Sequence, residues 1–211
     1  MYCGGRGTGT GLRDCCGGPE RHLAYMVMST ALCEPWTVER FLAWEDRQEG
    51  RHEFDGADIV LMTGGSRAHQ RIIYSLRRLL EERLDHEQFD AVPEMRMRIG
   101  RRVRCPDVLV CRGQVPDQTR TLHDAVVVFE ILSEDTAMTG RNTKRSDYAD
   151  VPGIRRYVLI EQLRRAATVL EQTGDQWIET PVVADAIALP ELGIELGLED
   201  IYRDVRFPPS V

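Results

Sequence analysis

Three stretches decide how this chain is read. Arg104–Cys111 reads RCPDVLVC, Asp124–Ser133 reads DAVVVFEILS, and Arg141–Tyr148 reads RNTKRSDY. Val108–Cys111 and Ala125–Ile131 are short, unbroken and rich in valine, the pattern of strands covered on both faces. Asp107 opens the first run and Glu130 sits near the end of the second. A carboxylate in such a strand is costly unless something pairs with it. Two carboxylates at neighbouring strand ends can share that cost by holding a divalent cation, because hard cations take oxygen ligands.

Lys144 follows on a short predicted helix. It is the only lysine in the chain, since every other member of the 27 Lys and Arg residues is arginine. An ammonium is compact and adjustable where a guanidinium is planar and rigid, so a lysine written only here marks a position where that difference counts. Two strand-borne acids and a lysine form the constellation of a metal-dependent phosphodiesterase. Each residue also has a plainer reading. Asp107, after a proline, can cap a turn through backbone N–H groups; Glu130 shares that alternative; Lys144 can be solvated surface.

The order Pro106-Asp107, Glu130-Ile131-Leu132-Ser133, Lys144 and Tyr148, then Tyr157–Ile160, resembles the Uma-two family of bacterial endonucleases, in the PD-(D/E)xK, restriction-endonuclease-like superfamily. Phe54-Asp55-Gly56, His69-Gln70 and Leu189–Gly193 fit the same pattern, and the resemblance spans roughly Thr37 to Tyr202. It implies a central mixed sheet flanked by helices, with an extra N-terminal helix and hairpins. It also implies a Mg²⁺- or Mn²⁺-dependent endonuclease, acting on DNA or alternatively RNA, as a homodimer. The resemblance makes Asp107, Glu130 and the Ile131 carbonyl metal ligands, and makes Lys144 the catalytic ammonium. Glu53 enters as a further catalytic acid or outer ligand, and Arg96, Arg98, Arg102, His69 and Tyr148 as candidate nucleic-acid contacts. The sequence departs from the superfamily where Leu132 stands in place of the usual lysine, so that Lys144 must reach in from a helix. An acid often found near Gly140 is absent, which keeps an inactive nucleic-acid-binding or interaction module with the same fold as the rival reading.

Composition bounds these expectations. The chain of 211 residues is 42% apolar and 29% charged, ordinary for one globular domain. No apolar run approaches the roughly 20 residues that span a bilayer, and a cytoplasmic location is expected. A net charge of −7 argues against a protein that coats nucleic acid indiscriminately, where phosphate neutralisation dominates. A local basic surface remains compatible with it, and Arg96, Arg98, Arg101, Arg102 and Arg104 crowd one segment. That segment reads equally as a solvated hairpin or as a phosphate-facing one. The six cysteines lack disulfide or zinc spacing and read as free thiols.

Residues 1–28 are glycine-rich and foreign to the rest. They are read as a flexible leader or a mis-assigned start, and 29–211 as a single domain. Along that domain, Thr37 caps a short helix to about Arg47, and His52–Met62 is a hairpin on an Asp-Gly turn. Arg67–Leu84 is the clearest amphipathic helix, capped by Ser66. Phe89–Val92 is a strand; Met95–Ile99 and Val103–Cys111 form a second hairpin around Gly100; Gly113–Leu122 is loop. A helix over Asn142–Ala149, a strand over Arg156–Glu161, a hairpin over Ala167–Thr180, and a last strand with a helical turn before Tyr202 complete an α/β (α+β) domain.

Overall fold

The computed structural model describes residues 34–62, 64–132, 139–174, 176–183 and 185–207. The segment set aside as a leader lies outside the described residues. All described elements fall within the unit Trp36–Val211.

Helix α1 (Val38–Glu45) is capped by Thr37, whose hydroxyl accepts from the Arg40 N–H at 3.2 Å. Helix α2 (Arg67–Arg83) is capped by Ser66, which accepts from the His69 N–H at 3.2 Å. The α2 residues Ile72, Ile73, Leu76, Leu79 and Leu80 are buried, one stripe at helical spacing. Helix α3 spans Thr139–Ala149, and a final turn, α4, spans Leu198–Ile201.

Thirteen strands occur among the described residues: β1 His52–Phe54, β2 Ile59–Leu61, β3 Phe89–Pro93, β4 Arg96–Ile99, β5 Arg102–Arg104, β6 Val108–Arg112, β7 Thr121–Leu122, β8 Val127–Leu132, β9 Arg156–Glu161, β10 Ala167–Thr173, β11 Gln176–Val182, β12 Ala186–Leu189 and β13 Ile194–Gly197. They form a five-stranded sheet in the order β2-β1-β5-β4-β7, a six-stranded sheet in the order β11-β10-β9-β8-β6-β3, and the β12-β13 pair. Most pairings are antiparallel, but β8 runs parallel to β9. A parallel neighbour needs a crossover, and α3 lies in that connection. The result is the mixed α/β architecture expected from the sequence.

Both faces of the six-stranded sheet are covered, which is why its middle strands are continuously apolar. Val108, Val110, Val127, Phe129 and Ile131 pack with the α2 stripe. Leu109, Cys111 and Val128 pack with Tyr148 and Tyr157 in a second cluster. Strand alternation therefore sends Glu130, between Phe129 and Ile131, toward α3 rather than α2.

One expectation needs correcting. The second hairpin does not run through to Cys111. It consists of β4 and β5 only, and the chain leaves for the other sheet at Cys105-Pro106-Asp107. Pro106 has no N–H to offer a ladder. The Cys105 N–H turns to the Glu53 side chain, and the Asp107 carbonyl accepts from the Glu94 N–H. Gly100, at φ +54°, makes the β4–β5 turn, a conformation glycine adopts without penalty. The short strand β7 falls in the expected loop, and β12 was not anticipated.

The buried Tyr202 hydroxyl, just after α4, donates to the carbonyls of Glu161 and Ala166 and fastens the end of the described chain to the β9–β10 turn. Tyr202→Phe is expected to cost about 0.5–1.5 kcal/mol in urea unfolding, the usual net value of a hydrogen bond.

Candidate active site

The passage from β5 to β6 is where the two larger sheets meet, and the candidate residues gather around it. In the β6–β8 ladder Val108 faces Phe129. One step further along this antiparallel register, Asp107 faces Glu130, so the two acids stand side by side at the strand ends. From the other sheet β1 brings Glu53, and from the crossover α3 brings Lys144.

Lys144 Nζ lies 3.0 Å from Glu53 Oε1 and 2.9 Å from Glu130 Oε1. Four residues on, Tyr148 donates its hydroxyl to the same Glu130 Oε1 at 2.8 Å, as the shared helix face requires. Glu53 Oε1 also accepts the Cys105 N–H at 3.0 Å. Asp107 is held by both oxygens: Oδ2 accepts the Ile131 N–H at 2.6 Å, and Oδ1 lies 3.1 Å from His69 Nε2. The Ile131 backbone thus reaches Asp107 through its N–H. His69 packs against the bare backbone of Gly65, where a Cβ would sit within 2.5 Å of the imidazole ring.

Electrostatics follow from this crowding. Burial, together with the charges of Asp107 and Glu53, pushes the Glu130 carboxyl up to about 7 despite the opposing pull of Lys144. Burial alone would lower the Lys144 ammonium, but Glu130 and then Glu53 outweigh it and hold it above the ordinary lysine range. Lys144 is therefore charged at neutral pH. Burial also lowers His69, but the hydrogen bond and charge of Asp107 more than reverse that. Burial raises the Cys105 thiol to about 11, so it stays a thiol and no nucleophile.

Two participants escaped the sequence reading. Arg104 is buried and bridges Glu53 (3.3 Å) and Asp147 (2.6 Å). Asp147, also buried, takes Arg102 at 2.7 Å as well. Asp147 stands three residues from Lys144, so the stripe Lys144-Asp147-Tyr148 on α3 was the available signal. Three more arginines of the crowded segment are likewise committed within the chain, Arg101 at the β4–β5 turn being the exception. Arg96 pairs with Glu45 and Asp46, Arg98 with Glu39, and Arg102 with Asp147 and Asp150. Tyr148 has no exposed surface, so its expected contact with nucleic acid is withdrawn; its hydroxyl serves Glu130 instead.

The donors suit a hard divalent cation. Glu53, Asp107, Glu130 and Asp147 bring four carboxylates against Lys144 and Arg104, with Arg102 at the rim and His69 on Asp107; burial, more than the neighbouring carboxylates, pushes Glu130 up. Among the described residues no group of three or more His, Cys, Asp or Glu side chains is placed to hold a metal ion. Magnesium is commonly held by only one or two carboxylates, with water and phosphate completing its shell; Asp107 and Glu130 are the two that would serve.

The Uma2 family profile, described as "Putative restriction endonuclease", matches residues 38–205. This chain belongs to the Uma2 family. Two Synechocystis proteins, both named only as uncharacterized, are each 28% identical to it. One, slr1290, aligns over 80% of this chain and 92% of its own length; the other, sll1609, over 75% and 94%. Among solved structures, a protein from Anabaena variabilis titled "putative nuclease belonging to DUF820" superposes with a TM-score of 0.67 at 17% identity. The superposition covers 80% of this chain and 98% of that one. At that identity the likeness establishes a shared fold, and the Uma2 match accounts for the nuclease-type arrangement.

Two predictions follow from the site's charges. Asp147→Ala leaves the Arg104 guanidinium buried beside Glu53 alone, and is expected to cost about 3–5 kcal/mol in chemical unfolding, as broken buried pairs do. The second concerns pH. Because the folded state raises the Glu130 pKa, Glu130 stabilises the metal-free fold fully below the ordinary carboxylate value of about 4.3, and that contribution is lost as pH rises through about 7. In EDTA, the melting temperature of the unaltered chain should fall relative to Glu130→Gln between pH 5 and 8; parallel curves would contradict this.

Proposed function

We propose that this chain, as a single domain over 29–211, is a divalent-cation-dependent endonuclease that hydrolyses phosphodiester bonds in DNA. The observation that carries the reading is the Lys144 ammonium held between Glu53 and Glu130 at the strand end where Asp107 and Glu130 stand in register. Membership in the Uma2 family supports it. Homodimer assembly and a cytoplasmic location belong to the same proposal through the family resemblance. No helix among the described residues is long and apolar enough to cross a membrane.

Asp107 and Glu130 hold the ion, Mg²⁺ or Mn²⁺, with the Ile131 carbonyl as a third oxygen. The ion supplies acidification of a coordinated water and neutralisation of phosphate charge. His69 and the Ile131 N–H fix the Asp107 carboxylate so that little reorganisation is needed when phosphate arrives. Tyr148 fixes Glu130. Lys144, retained by Glu53, places a permanent positive charge beside the ligands. There it orients the attacking water and offsets charge developing on the phosphoryl oxygens. Glu53 thus acts through the lysine, and Arg104 with Asp147 keeps Glu53 in place.

Plasmid nicking in Mg²⁺ or Mn²⁺ tests the proposal. Asp107→Ala and Glu130→Ala should abolish nicking, and Lys144→Ala should slow it roughly 10²–10³-fold, the range for losing one preorganised transition-state contact. Mn²⁺ calorimetry should show binding in the unaltered chain and loss of it in Asp107→Ala. A chain that binds DNA, takes up no Mn²⁺ and nicks nothing is instead a binding module with the nuclease fold.

A further inference from the structure

Arg96, Arg98, Arg102 and Arg104 of the β4–β5 hairpin are paired within the chain, so apart from Arg101 at its turn the hairpin offers nucleic acid no unpaired cation, and other cations on this acidic body come into question. A hollow of about 230 Å³ opens beside the first turns of α2, lined by Arg67, Arg71 and Arg206. A second hollow shares Arg67 and Arg71 with it and is lined also by Gln70, Tyr74, which is 68% exposed, and Asp204. Among the described residues none of these three guanidiniums has an ion-pair or hydrogen-bond partner, in contrast to Arg96, Arg98, Arg102 and Arg104. Unpaired guanidiniums gathered around one hollow repel one another, and an anion among them relieves that repulsion.

Arg67 and Arg71 stand one turn apart, about 6 Å along the helix axis, and lie on the side of α2 turned away from its buried stripe. Two residues after Arg67 on the same helix, His69 reaches inward to Asp107. The hollow is therefore tied through one rigid element to the candidate ligands. Guanidiniums pair with phosphate oxygens through two parallel N–H bonds, and the Gln70 amide adds neutral donors.

We infer that this hollow seats consecutive backbone phosphates of the nucleic acid, with Arg67, Arg71 and Arg206 as its cations. The inference rests on the proposed nuclease reading and names the surface that reading lacked. It concerns affinity and register rather than base sequence, because phosphate contacts position a duplex without reading it.

The test measures binding of a fluorescein-labelled DNA duplex to the full chain in EDTA across a salt series, with plasmid nicking in Mg²⁺ followed in parallel. Arg67→Ala with Arg71→Ala should bind roughly tenfold more weakly. The slope of log affinity against log salt should become shallower by about two, one per lost phosphate contact. Arg67→Lys with Arg71→Lys should keep most of that slope, and circular dichroism should show both variants folded. An unchanged slope in the alanine variant, or no duplex binding by the unaltered chain, overturns the inference. So does equally tight, arginine-dependent binding of polyglutamate, which would make the hollow a surface for acidic protein. If the unaltered chain nicks DNA and the alanine variant binds and nicks as well, the hollow is excluded and the nuclease reading stands. If binding depends on the arginines while nothing is nicked, the hollow stands and the nuclease reading falls.

Discussion

A single ammonium between two sequestered carboxylates is the interaction around which this molecule is arranged. Lys144 touches Glu53 on one sheet and Glu130 on the other from the helix that joins β8 to β9. Burying any of these charges alone carries a penalty of several kcal/mol. The fold tolerates them because each has a partner, and the partners have partners: Arg104 and Asp147 behind Glu53, Tyr148 behind Glu130, His69 and the Ile131 N–H behind Asp107. Burial, with the neighbouring Asp107 and Glu53 charges, still leaves Glu130 the least comfortable member of the network.

Pro106 explains why the network can exist. It ends the ladder of one sheet and releases the chain into the other within three residues, so that Asp107 emerges beside Glu130 while Cys105 still bonds to Glu53. A continuous hairpin through this region would have left Asp107 in a different sheet from Glu130. The valine-rich strands that follow are covered on both faces, by α2 on one side and by the α3 cluster on the other. Close packing of that kind holds side chains to a single arrangement, which any transition-state stabilisation by fixed charges demands.

Arginine serves two purposes in this chain, and only their surroundings tell them apart. Arg96, Arg98, Arg102 and Arg104 of the β4–β5 hairpin neutralise carboxylates on α1, α3 and β1 and bind the N-terminal elements to the rest. Arg67 and Arg71, on the outer face of α2, have no carboxylate of their own among the described residues. An overall charge of −7 conceals both facts, because composition records numbers of charges and not their partners.

Much of this was legible in the residues themselves. Valine-rich runs announced the central strands, helical spacing of Ile72 to Leu80 announced α2, and Thr37 and Ser66 announced their helices by cap chemistry, since these signals are local and set by backbone periodicity. The order of Asp107, Glu130 and Lys144 made the family recognisable, and the Uma2 match bears that recognition out. What the residues could not disclose was who meets whom across the sheets. Arg104 and Asp147 lie 43 positions apart, and nothing local distinguishes a buried guanidinium from a solvated one. Arg96 and Arg67 are the same residue type with opposite fates, one enclosed by Glu45 and Asp46 and the other facing an open hollow. Periodicity specifies which face a side chain takes; only the assembled sheets supply the charge it finds there, because Coulomb energy depends on distance through space rather than along the chain.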